Sequence, residues 1–226
     1  MSHIADNIAS LRERIATAAA RAGRNPNEIT LVAVTKRVES AQIREAVEAG
    51  IQDLGENYYQ EARDKIPLIG ESVRWHFMGH LQINKAKYIP GQFHLLHSLD
   101  SEELAIELDR RSAQKEILQN VLIEVKLDPS ATKNGIEPAL LPALTERLLS
   151  CRNLRLMGLM GMPPAAESPD DSRPFFARLR NMLEQLPEQN RSVLSMGMTA
   201  DFEAAILEGS TMVRIGTAIF GPRGRP

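Results

Sequence analysis

Residues 30–50 read TLVAVTKRVESAQIREAVEAG. The first six, Thr30–Thr35, are rich in β-branched and apolar side chains and fit a buried strand of a parallel sheet. After the polar break at Lys36–Arg37, Ile43, Ala46 and Val47 recur at helical spacing. Ser40 stands as the N-cap and Gly50 as the stop. A strand, a short polar break and an amphipathic helix make one βα unit, and the rest of the chain repeats it. Strand candidates follow at Ile51–Leu54, Val73–Met78, Phe93–Ser98, Val121–Leu127, Leu154–Met160, Ser192–Ser195 and Met212–Ile215. Helical patterns lie between them, among them Asp100–Arg111, Phe175–Leu186 and Thr199–Leu207.

Eight strands alternating with helices predict an α/β fold, a (β/α)8 TIM-type barrel. An open doubly wound sheet is the runner-up. The 226 residues suit one lean barrel with little left for a second domain. Residues 1–226 therefore read as a single domain. Residues 1–24 form an extra N-terminal helix with Ile4, Ile8, Leu11 and Ile15 on one stripe, and 222–226 form a frayed tail. The formal net charge is −2 and favours neither nucleic acid nor an anionic membrane. No run of about 18 apolar residues predicts a membrane span. The first residues lack the apolar core of a secretory signal, and the single cysteine, Cys151, leaves no partner for a disulfide. The expected location is the cytoplasm.

In such a barrel, chemistry gathers at the C-terminal ends of the strands. Lys36 closes the first strand, where a low-dielectric mouth would lower its pKa and supply a neutral amine for a Schiff base. Taken alone, Lys36 reads better as a solvated lysine. The turns after strands seven and eight shift the balance. Ser195 offers a hydroxyl, Gly197 lets backbone approach an anion, and a helix starting near Thr199 would aim its positive end at the site. Gly216 and Thr217 offer a second nest. A lysine facing a phosphate nest fits pyridoxal 5′-phosphate (PLP). Arg214 on strand eight could meet the pyridine nitrogen, with a structural salt bridge as the competing reading.

Further motifs carry a resemblance. LVAVTK (31–36), GENYYQE (55–61), WHFMGHLQINK (75–85), HSLDS (97–101), LMGLMGMPP (156–164) and SMGMTADFEAAILEGSTMVRIGTAIFG (195–221) are spread along nearly the whole chain. With them the sequence closely resembles the pyridoxal phosphate homeostasis (YggS/PROSC) family. The resemblance implies the fold of the N-terminal barrel of alanine racemase, with Lys36 as the PLP-bearing lysine. Ser195, Gly216 and Thr217 would line the phosphate, Met198 and Thr199 would give nearby backbone, and Arg214 would face the pyridine nitrogen. Asn57 and His80 would flank the cofactor on the open side. Two segments depart from the family pattern. Thr199-Ala200-Asp201 replaces a serine followed by two acids, which removes a carboxylate at Ala200. The loop 128–135 (DPSATKNG) is longer than usual, so Lys133 receives no role.

The implied function is intracellular PLP homeostasis: storage, buffering and delivery of the cofactor held on Lys36, with PLP-dependent apo-enzymes as candidate partners. The expected state is a monomer without catalytic residues. Racemisation needs a proton donor or acceptor on each face. The chain ends close after strand eight, and Tyr58, Tyr59 and Tyr88 do not match a racemase's tyrosine base. A PLP-dependent racemase of low activity is the alternative, and a cofactor-free Schiff-base barrel such as an aldolase is a third. No metal site is expected. His94 and His97 are three apart on a strand and face opposite sides, and His76 reads as a barrel-wall histidine. Arg173, Arg178 and Arg180 read as a solvated helix face, and the methionines near strand ends as packing.

Overall fold

The computed structural model describes residues 3–70, 72–128 and 134–222. Among them, eight parallel strands close into a barrel in chain order: β1 (Thr30–Val34), β2 (Asp53–Glu56), β3 (Arg74–Phe77), β4 (Leu95–Leu99), β5 (Gln119–Lys126), β6 (Leu154–Met162), β7 (Val193–Ser195) and β8 (Met212–Ile215). The helices are α1 (Ile4–Arg21), α2 (Ser40–Glu48), α3 (Tyr59–Ile69), α4 (Glu102–Gln114), α5 (Leu141–Ser150), α6 (Arg173–Leu183), α7 (Phe202–Leu207) and α8 (Thr217–Phe220). The open-sheet alternative is thereby excluded. Residues 223–226 of the tail expected over 222–226, and most of the 128–135 loop, Lys133 included, lie outside the described residues.

Closure is made by β8 pairing with β1, in the register Val32↔Arg214 and Ala33↔Ile215. Strand alternation then sorts side chains into two layers. Ala33, Leu96, Val121, Ile123, Val213 and Ile215 point outward into the large core beneath the helices. The inner filling is apolar where Val32, Val34, Met78, Leu95, Leu122, Met160 and Met212 meet. His97, Glu124 and Arg214 share the inward parity of their apolar strand neighbours and form a polar stratum. The extra helix α1 lies across α2, α7 and α8, over the β8–β1 seam. Its stripe of Ile4, Ile8, Leu11 and Ile15 is buried, and Asn7 Nδ2 donates to Ile219 O at 3.0 Å.

Several boundaries differ from expectation. Strand β2 begins two residues late, at Asp53, because Ile51 serves the outer core and Gly55 and Glu56 continue the ladder. Ser40 is the first helical residue of α2, and the N-cap is Glu39. In α4 the cap is Ser101, whose Oγ accepts the Leu104 N–H at 3.2 Å. The helix after β7 starts at Phe202, with Thr199–Asp201 forming a turn that the Asp201 carboxylate closes on the Met198 N–H at 2.7 Å. Gly158 marks a register shift between β5 and β6. It sits at φ +152, and a Cβ there would lie 1.8 Å from Val193 O. Gly158→Ala is therefore expected to destabilise the fold by about 3 kcal/mol, read as a lower denaturant midpoint.

Candidate functional site

Lys36 follows β1 in a tight turn and is half-buried. The β1–β8 register carries it alongside the Gly216–Thr217 loop. The turn is strained: Arg37 adopts φ +57, a left-handed value that a side chain disfavours. A buried cluster holds it there. Glu61 Oε2 accepts the Arg37 N–H at 2.7 Å and the Lys65 Nζ at 2.7 Å. Lys65 Nζ also donates to Thr35 O at 2.7 Å and to Glu56 Oε1 at 2.8 Å, and Thr35 Oγ1 donates to Glu56 Oε1 at 2.6 Å. Burial raises the Glu56 carboxyl despite Lys65. At Glu61 burial also acts upward, but the Lys65 and Arg37 hydrogen bonds outweigh it and the net shift is down.

The two loops after β7 and β8 meet. Thr217 Oγ1 and Thr199 Oγ1 are 3.4 Å apart, and the N–H groups of Thr199, Ala200 and Thr217 have no acceptor among the described residues. Thr217, Met198 and Ala200 are exposed and Gly216 is buried. The Met198 N–H donates to the Asp201 carboxylate. Gly197 sits at φ +94, and a Cβ there would lie 2.6 Å from Ala205 Cβ, so the approach of this loop to α7 requires glycine. Ser195 stands at the end of β7, but its hydroxyl turns into the barrel. There it accepts Arg214 Nη1 at 2.7 Å and contacts His97 Nδ1 at 3.0 Å.

Arg214 is 5% exposed and also donates to Gly161 O at 3.3 Å. Burial pulls its pKa down to about 10, with Glu124 and Asp201 acting the other way. Glu124, on β5, is pushed up to about 7 by burial and by Asp100, against the pull of Arg214. On the open side, Asn57 and His80 line one cleft with Tyr58 and Gln82. His80 Nδ1 lies 3.4 Å from Asp100 Oδ2. Gly79 packs on Asn57, whose carbonyl oxygen would be 2.0 Å from a Cβ. The expected residues thus gather at the C-terminal mouth, with Ser195 behind Arg214 and not in the loop pair.

Sequence reasoning missed Asp53, Glu124 and the role of His97. The signal for the last two was inward strand parity. His76 is the buried barrel-wall histidine expected, and it touches both His97 and the ring of His94, 5.8 Å between centroids.

Glu124 gives the site a pH signature. Its folded value lies above that of an unfolded glutamate, so the folded state holds the proton more tightly. The associated stability is full below about pH 4 and is lost as pH rises to about 7. Glu124→Gln should be more stable than the parent at pH 8 by about 3 kcal/mol and nearly equal at pH 4, as compared by denaturant midpoints at both values.

Residues 6–224 match the family model described as alanine racemase, N-terminal domain. The pyridoxal phosphate homeostasis protein of Aquifex aeolicus (strain VF5) is 42% identical over 222 residues, covering 96% of this chain and 97% of that protein. The structure of PipY of Synechococcus elongatus PCC7942 with PLP bound superimposes with a TM-score of 0.85 at 34% identity, covering 96% of this chain and all of that one. An alanine racemase from Bartonella henselae shares the fold, with a TM-score of 0.72 at 16% identity over 58% of its own length. With a match over nearly its whole length, the chain belongs to the family of the pyridoxal phosphate homeostasis proteins, built on the alanine racemase N-terminal barrel.

Proposed function

We propose that this chain binds PLP at the barrel mouth and serves intracellular PLP homeostasis as a holder of the cofactor. The observation that carries the reading is the convergence, by β1–β8 closure, of Lys36 with the paired Thr199 and Thr217 loops over the buried Arg214. The homologues named for PLP homeostasis, and PLP in PipY, support it. When bound, PLP supplies an aldehyde that condenses with an amine and a phosphate that needs hydrogen-bond donors.

The residues present fit that group. The N–H groups of Thr199, Ala200 and Thr217, without acceptors among the described residues, suit a phosphate together with the two threonine hydroxyls. Gly216 leaves backbone room beside them, and the exposed Met198 side chain borders the loop. Arg214, permanently charged and only a donor, suits the pyridine nitrogen and keeps it unprotonated. Ser195 braces Arg214 from behind. Asn57 and His80 border the open side. Lys36 presents its amine from a turn that Glu61 and Lys65 hold in place.

A holding role is favoured over catalysis because the homologues are named for PLP homeostasis and not for an enzymatic activity. We assign the chain to the cytoplasm as a monomer, with PLP-dependent apo-enzymes as acceptors. No helix among the described residues is long and apolar enough to cross a membrane.

Incubation with PLP should give an absorption band that borohydride fixes, with the label mapping to Lys36 and absent in Lys36→Ala. A label elsewhere, or rapid conversion of L- to D-alanine, overturns the reading. Apo-enzyme recovery should be faster from the loaded protein than from an equal amount of free PLP. Lys65→Met frees Glu61 and loosens the Lys36 turn. It should lower stability by about 3 kcal/mol and weaken PLP binding about tenfold, as measured by thermal melts and spectral titration.

A further inference from the structure

Behind Arg214 a line of buried polar side chains crosses the barrel interior. Ser195 Oγ accepts Arg214 Nη1 at 2.7 Å. Ser195 Oγ lies 3.0 Å from His97 Nδ1, His97 Nε2 lies 3.0 Å from His76 Nδ1, and His76 Nε2 lies 2.9 Å from Asp53 Oδ1. Arg74 closes the far end with two bonds of 2.7 Å to the Asp53 carboxylate. Ser195 and His97 are fully buried, and His76 is 1% exposed.

The ends of this line fix its direction. Arginine only donates, and an ionised aspartate only accepts. Burial alone would raise the Asp53 carboxyl, but Arg74 and His76 hold it at about 2, so it is ionised. His76 therefore donates from Nε2 to Asp53. Burial, with His76 and Arg214 nearby, holds His97 well below the usual histidine range, so it is neutral and has one donor and one acceptor nitrogen. With His76 also neutral, its Nδ1 accepts from His97 Nε2, and His97 Nδ1 accepts the Ser195 hydroxyl proton. Every donor then meets an acceptor from Arg214 to Asp53. A proton added to His76 makes both its nitrogens donors. His97 must then accept at Nε2 and donate from Nδ1 to Ser195, and the Ser195 proton loses its acceptor among the described residues.

We infer that Asp53, His76 and His97 are positioning residues for Arg214, acting as a directional hydrogen-bond relay whose sense reverses when His76 takes up a proton. The inference rests on the reading of Arg214 as a cofactor contact only for its functional consequence. The charged and titratable groups facing the relay are Asp53 on β2, Arg74 beside His76 on β3, His94 before β4, His97 on β4, Glu124 on β5, Asp201 after β7 and Arg214 on β8. Asp53 also borders a cleft on the N-terminal face of the barrel, with Arg12, Asn27 and Arg74, so the relay joins that face to the mouth.

Nitrogen NMR of the imidazoles in the full chain, without ligand, tests the relay directly. At pH 8 both His76 and His97 should carry their proton on Nε2. On acidification, His97 should change to the Nδ1 tautomer while staying neutral, in step with protonation of His76. An Nδ1 tautomer of His97 at pH 8, or a tautomer that ignores the charge on His76, overturns it. A second measurement uses the PLP-loaded protein. Asp53→Asn should move the pH midpoint of the bound PLP absorption band by about one unit, whereas Asn27→Ala on the same face should not. An unmoved midpoint in Asp53→Asn overturns the coupling to Arg214. Absence of any band defeats the PLP reading alone, because the tautomers of the ligand-free chain still decide the relay.

Discussion

The pairing of β8 with β1 is the constraint on which the rest of this molecule depends. Eight strands in chain order leave two edges, at the first strand and the last, and exposed edges template further pairing. Setting Val32 beside Arg214 removes both edges at once. The same ladder brings a lysine from residue 36 beside loops from residues 199 and 217, which lie far apart in sequence. The helix α1, added before the first strand, covers this seam. Its buried isoleucines and leucine secure the one junction that joins the ends of the fold, each contributing about 2 kcal/mol when fully buried.

Much of this was legible in the residues. Alternating apolar runs predicted eight strands within a few positions, but the inward parity that turns Glu124 and His97 into the barrel went unread. The Lys36 turn and the glycines of the last two loops lay at strand ends, where a barrel gathers its chemistry. What stayed hidden depended on the stagger between strands. His97 and Ser195 are 98 positions apart, and their contact follows from shear, which no single strand records. Asp53 lay within the run read as the second strand, two residues ahead of the observed one, and nothing local marked its carboxylate as a partner of His76 on the next strand. Ser195 sat at the expected strand end, yet its rotamer turned it toward Arg214, an outcome fixed by the buried guanidinium and not by local pattern. The short turn at Thr199–Asp201 escaped because a side chain, Asp201, closes it where a helix would otherwise begin.

The interior of a TIM-type barrel is ordinarily packed with branched apolar side chains, and here it carries an arginine, two histidines, a glutamate and an aspartate. Burying such groups without partners would cost several kcal/mol each. The cost is offset because donors and acceptors match in sequence from one end to the other, with a cation at Arg214 and an anion at Asp53. Glu124 meets the remaining difficulty differently. Set near both Asp100 and Arg214, it lies at about 7, so the charge balance around the guanidinium is set by pH. A polar stratum of this kind cannot be repacked one residue at a time, since removing any member leaves its neighbours' buried groups unsatisfied. That interdependence keeps Arg214 in one orientation at the mouth, as the proposed contact to a pyridine nitrogen would require.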